Sequence, residues 1–184
     1  MKASRVPIRL LLAGAGAALL AATQAAPAAA TGAAGRHLVS VNTNETGPAK
    51  CLQPVDGSLE PGAAIVQVTC DWSAGSFAQQ WAKDDLGGGV IHYRNISSGL
   101  CLDARGSATD GTPVQQWVCN SISNERWQHP VPDLIDVLDG PIISRVSGTS
   151  SHCLDVPGAS PQAGLAMQLW RCNDTTAQAW DDTF

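Results

Sequence analysis

One pattern occurs three times along this 184-residue chain, and it limits the possible folds more than any other feature. The first copy runs Lys50-Cys51-Leu52-Gln53, then Val66-Gln67-Val68-Thr69-Cys70-Asp71, then Gln79-Gln80-Trp81. The second runs Leu100-Cys101-Leu102-Asp103, then Val114-Gln115-Gln116-Trp117-Val118-Cys119-Asn120, then Glu125-Arg126-Trp127. The third runs His152-Cys153-Leu154-Asp155, then Met167-Gln168-Leu169-Trp170-Arg171-Cys172-Asn173, then Gln178-Ala179-Trp180. Consecutive first cysteines lie 50 and 52 residues apart, and the two cysteines of a copy are separated by 19, 18 and 19 residues. A unit of this size cannot bury its own apolar face, so its copies must pack on one another around a shared core. Kelch-like propeller blades have a similar period, but three copies are too few to close a propeller.

The 6 cysteines all belong to the repeats, and threefold repetition selects one pairing: Cys51 with Cys70, Cys101 with Cys119, and Cys153 with Cys172. Each bond closes a loop inside its own repeat, contributing ~3 kcal/mol through the unfolded state in the chain-entropy account. The competing use of cysteine, a metal site, lacks its usual spacing: there is no C-x-x-C, and His37, His92, His129 and His152 are scattered singly. No cofactor is expected.

Disulfides suit an exported chain, and the N-terminus agrees. Lys2, Arg5 and Arg9 precede the apolar run Leu10–Ala22, which is followed by the small-residue stretch Ala25–Ala30. These are the three parts of a secretory signal peptide, expected at residues 1–30. A membrane anchor is the alternative, but a span needs ~20 apolar residues and this run is shorter. Removal leaves one domain over residues 31–184, with repeats at about 36–85, 86–138 and 139–184. The alanine-rich signal suggests a bacterial source and an extracellular destination. Three of the 11 basic residues leave with it and all 16 acidic ones remain, so the mature charge is −8. An acidic surface argues against nucleic acid or anionic lipid as partner, and no further segment reaches membrane-spanning length.

Locally the repeats read as strands. Val39–Asn42, Val90–Tyr93 and Ile142–Val146 open them with β-rich or alternating stretches, and turn residues such as Asp56-Gly57, Asp110-Gly111 and Pro157-Gly158 punctuate them. About four strands per repeat, and no helix outside the signal, give an all-β fold.

The Cys-Leu-Asp, Gln-x-Trp-x-Cys-Asn and Gln-x-Trp series resembles the ricin B-chain lectin family and the related carbohydrate-binding modules of secreted glycoside hydrolases. The resemblance runs from about His37 to Phe184. It implies a β-trefoil, three pseudo-symmetric four-stranded units about one axis, with Trp81, Trp127 and Trp180 in the shared core. It also implies a partner of galactose-, xylose- or arabinose-containing glycans, and the chain is expected to be a non-catalytic monomer.

By the same resemblance, a sugar site uses the Cys-x-Asp aspartate, the Gln and Trp before the second cysteine, and an Asn-Gln pair before the last Trp. The second repeat supplies Asp103, Gln115, Trp117 and Asn124, with Glu125 in place of Gln. The third supplies Asp155, Gln168, Trp170 and Gln178, with Ala177 in place of Asn. In the first, Gln53, Val66, Val68 and Ala78 replace the key groups, so that repeat is expected to be structural. Period-two alternation supports the assignment: with Met167 and Leu169 packed inward, Gln168 and Trp170 face out, and Gln115 and Trp117 are the equivalent pair. An aromatic platform beside planar polar groups suits a sugar, which offers C–H groups on one face and hydroxyls at its rim.

Other chemistry is not evident. There is no Gly-x-Ser-x-Gly or His-Glu-x-x-His motif. The pairs Asp84-Asp85 and Asp181-Asp182 are adjacent on strands, point to opposite faces, and are expected to be solvated charges. Asp133, Asp136 and Asp139 are expected in an exposed loop. The alternative reading is a trefoil with decayed sugar sites that binds protein or inhibits a protease, through a loop such as Pro130 to Pro141.

Overall fold

Threefold repetition in the sequence becomes threefold repetition in strand pairing. The computed structural model describes residues 35–43, 47–120, 122–130, 139–148 and 151–183. The expected signal and most of the Pro130 to Pro141 loop lie outside these. The first repeat forms β1 (Arg36–Ser40), β2 (Lys50–Pro54), β3 (Ile65–Thr69) and β4 (Gln80–Gly87). The second forms β5 (Val90–Asn95), β6 (Cys101–Ala104), β7 (Thr112–Trp117) and β8 (Trp127–Gln128). In the third, breaks at Ile142 and Met167 divide two strands, giving β9 (Asp139–Pro141), β10 (Ile143–Ser144), β11 (His152–Asp155), β12 (Leu165–Ala166), β13 (Gln168–Arg171) and β14 (Ala179–Thr183).

The outer strands of the repeats close a ring: β1 pairs with β4, β4 with β5, β5 with β8, β8 with β10, and β14 with both β9 and β1. The inner strands form three hairpins, β2–β3, β6–β7 and β11–β13. They are joined to one another by β3–β12, β7–β13 and the Ala64–Gln115 bridge. A ring capped by three hairpins is the β-trefoil. Among the described residues, no helix is long and apolar enough to cross a membrane.

At the centre, Trp81, Trp127 and Trp180 are fully buried. A buried indole N–H needs an acceptor, and each finds the same one: Leu52 O at 3.1 Å, Leu102 O at 2.9 Å and Leu154 O at 3.0 Å. These leucines follow Cys51, Cys101 and Cys153, which bond Cys70, Cys119 and Cys172. The tryptophan, the second strand and the disulfide of each repeat are therefore one mechanical unit.

Several expectations need correction. Asp139 is half-buried in β9 opposite Asp181, not in an exposed loop, because that strand closes the ring against β14. The stretch Ile142–Val146 is strand only at Ile143–Ser144, and Val146 starts a 3-10 turn. The opening strand stops at Ser40, and Val41–Thr43 forms a 3-10 turn. Asn42 there donates to Ala159 O at 2.8 Å, and asparagine side chains favour turns because they compete for backbone partners. Asp182 is not a solvated charge: it is buried and paired with Arg36 at 3.5 Å and Lys83 at 3.2 Å. Asp84 is more exposed and accepts from both Arg94 Nε and Nη2.

Candidate carbohydrate site

Each hairpin repeats one register. Gln53 lies opposite Val66, Asp103 opposite Gln115, and Asp155 opposite Gln168. Residues opposite one another share a face of the sheet, so both aspartates meet a glutamine side by side. Gln115 Nε2 donates to Asp103 Oδ1 and Gln168 Nε2 to Asp155 Oδ1, each at 2.7 Å. Two residues further along, Trp117 and Trp170 are exposed to the same extent, 41%. Val114, Met167 and Leu169 are packed inward, as alternation requires.

In the third repeat, Asp155, Gln168 and Trp170 line a hollow of about 420 Å³ with Gly158, Asn173 and Thr175. Gln178 sits behind it, buried, and donates to Asp155 Oδ2 at 3.0 Å and to Arg171 O at 3.1 Å. Its carbonyl accepts from Asn173 N at 3.0 Å. Both oxygens of Asp155 are thus held by amides, and the carboxylate keeps lone pairs for hydroxyl donors. Burial raises the Asp155 pKa, against the lowering effect of Gln168 and Gln178. Ala177 lines the hollow where a family site has asparagine.

The second repeat makes a smaller hollow, about 180 Å³, lined by Asp103, Gln115, Trp117, Asn124 and Arg105. Glu125 is buried behind it and accepts from Asn120 N at 2.9 Å, the counterpart of the Asn173–Gln178 bond. It has no amide to donate. Burial is the main cause of a raised Asp103 pKa, Gln115 opposes it, and the Glu125 charge adds to it. Glu125→Gln should restore the donor seen at Gln178 and stabilise the domain by ~1–2 kcal/mol. Thermal melts at neutral pH should rise by a few degrees, and a carboxyl titration should find the Asp103 pKa lowered. An unchanged melt would mean that the missing donor costs nothing.

The first repeat has the same frame without the rim. Gln79 donates to Gln53 Oε1 at 3.2 Å and accepts from Asp71 N at 2.8 Å. Val66 is buried and Val68 stands where the platform would be.

Sequence reasoning missed the loop that forms one wall. The third residue after Gln53, Asp103 and Asp155 has positive φ in every repeat: 53° at Asp56, 98° at Gly106 and 62° at Gly158. Glycine carries this conformation without strain, and its recurrence at one offset was the available signal. Gln67 and Gln116 were also passed over. Both are fully buried and clamp a neighbouring repeat, Gln67 through Ser160 O and Gln162 O, Gln116 through Ser58 O and Glu60 O. Of metal-type groupings, the described residues contain His92, Cys101 and Glu125, but Cys101 is held in a disulfide.

The geometry defines a lectin-type β-trefoil, and comparison with known proteins agrees. The model of the ricin-type β-trefoil lectin domain-like family matches residues 29–117 and 77–139. The chain belongs to that family. Nigrin b of Sambucus nigra is 49% identical over 45 residues, 23% of this chain and 8% of its own. The designed threefold-symmetric protein ThreeFoil superposes with a TM-score of 0.69 and 26% identity, over 82% of this chain and 98% of its own. An exo-β-1,3-galactanase of Clostridium thermocellum gives a TM-score of 0.69 and 32% identity, over 82% of this chain and 30% of its own. The chain thus spans a small part of both natural relatives.

Proposed function

We propose that this chain is a secreted, non-catalytic carbohydrate-binding domain that takes galactose- or xylan-type glycans in its second and third repeats. The observation that carries this reading is the twice-built set of aspartate, amide-held and buried, beside an outward tryptophan. The sugar's C–H face stacks on Trp117 or Trp170, and its hydroxyls donate to Asp103 or Asp155 and meet the glutamine amides. Similarity to a galactanase chain supports a galactose-containing ligand. Among the described lining residues each hollow has a single carboxylate, Asp103 or Asp155, whereas glycoside hydrolysis in most families uses a flanking pair. Shallow sites leave much of a sugar wet, so affinity per site is on the order of 0.1–1 mM. Two sites on one rigid body raise retention on polymers through effective concentration.

The test is a glycan array with galactose, lactose and xylan columns, applied to wild type and to Trp117→Ala and Trp170→Ala. Each variant should lose retention by ~5-fold or more while the melting temperature stays nearly constant, because both rings are already partly in water. A folded, disulfide-bonded protein that no glycan retains would overturn the reading in favour of a protein partner.

A further inference from the structure

The second and third repeats carry the same aspartate, glutamine and tryptophan, but the mouths of their hollows differ in charge. Arg105 and Gly106, the second and third residues after Asp103, line the second hollow. The third repeat has Pro157 and Gly158 at those offsets from Asp155, and its described lining holds no cation. Arg105 is exposed, and its backbone N–H is bonded to Pro113 O at 2.9 Å. Among the described residues its guanidinium is in no ion pair, with Asp103 or with any other acid.

Charge in this hollow is ordered by depth. Asp103 is buried, with Gln115 on one oxygen, and Glu125 is buried behind it. Arg105 stands at the wet edge of the same space of about 180 Å³. A neutral pyranose meets an acceptor inside and an aromatic ring at its side, and needs nothing from a cation. A hexuronate carries two complements at opposite ends: ring hydroxyls that donate, and an exocyclic carboxylate that accepts. The carboxyls on the deep side turn the acid group outward, where a planar guanidinium holds it through paired, charge-assisted hydrogen bonds. At that edge the acid group stays near water, so little desolvation opposes the pair. The chain as a whole is acidic, with net charge −5, so attraction for an anion has to be local.

We infer that Arg105 makes the second repeat a site for a hexuronate unit, with the ring on Trp117, the hydroxyls on Asp103 and the carboxylate on Arg105, while the third repeat takes neutral units. This rests on the lectin reading above and gives one of its two sites a substrate class. A sulfate ester offers the same guanidinium a tetrahedral anion and is one arm of the test.

The experiment is a chemical-shift titration of the chain carrying Trp170→Ala, which silences the third repeat, followed at the Trp117 indole N–H. The probes are galactose, galacturonate, the methyl ester of galacturonate, and galactose sulfated on its exocyclic oxygen. The methyl ester keeps the shape of galacturonate and removes its charge. At low salt and neutral pH galacturonate should bind ~5-fold tighter than its ester, with the advantage shrinking as salt is added. Arg105→Gln should abolish that advantage and Arg105→Glu should invert it. Arg105→Lys, which keeps charge and loses the fork, should retain part of it. Because Arg105 is exposed, thermal melts of all three variants should match the parent. No advantage with Arg105 in place, an advantage that survives Arg105→Gln, or a preference for the sulfate ester over galacturonate overturns the inference and leaves the lectin reading intact. Binding of no probe, with wild type still retained on glycan columns, overturns it and confines the lectin reading to the third repeat. Failure of wild type to be retained on any glycan removes both.

Discussion

Trp180→Ala should lower the melting temperature by more than about 10 °C, with Trp81→Ala and Trp127→Ala close behind. Replacing a fully buried tryptophan by alanine costs ~3–5 kcal/mol when the core cannot collapse into the space. Here it also strips Leu154 O of the indole N–H that it accepts at 3.0 Å. Stability of a domain this size is typically only ~5–15 kcal/mol, and 1 kcal/mol corresponds to roughly 2–4 °C. Trp170, ten residues earlier, is the internal control: it is 41% exposed and its removal should leave the melt nearly unchanged. Differential scanning calorimetry of the two variants side by side is the measurement. Equal losses would show that the fold does not separate a core tryptophan from a platform.

Asp155→Ala, in a Trp117→Ala background that silences the second repeat, should cut glycan affinity by ~10- to 100-fold, the loss expected for a charged hydrogen-bond acceptor. It should also leave Gln168 and Gln178 without the partner that both now hold. The pH dependence carries the same information with opposite signs for binding and for stability. Burial raises the Asp155 pKa in the folded state. Hydroxyl donors need the carboxylate form, so affinity should fall as pH drops from neutral through that raised value. The folded state takes up the proton more readily than the unfolded state. Asp155's contribution to stability is therefore fully present below the ordinary carboxylate value and is lost as pH rises through the folded one. In mildly acidic buffer the third site should empty before the domain unfolds, as titration calorimetry and thermal melts on one sample would reveal. Binding that is flat down to the unfolding transition would remove the Asp155 carboxylate from sugar recognition.

Much of this follows from local pattern. Cysteine spacing and threefold repetition determined the disulfide loops and the repeated all-β unit, and the resemblance to the ricin B-chain family implied the trefoil. Period-two alternation placed Gln168 and Trp170 on the outward face and Met167 and Leu169 inside, because a strand's side chains must alternate whatever it packs against. Residues opposite one another in a hairpin were also within reach, since each register is tied to its disulfide. Only tertiary structure decided which distant groups meet. Gln178 reaches Asp155 across 23 residues, Asp182 is buried between Arg36 and Lys83, and Gln67 and Gln116 clamp loops of other repeats. Arg126 and Arg145 line one hollow because β8 and β10 pair. Alternation specifies the face on which a side chain stands but carries no record of its long-range partner. Closure of the ring supplies that partner, because it sets strands distant in sequence side by side and a buried polar group left unpaired there costs stability.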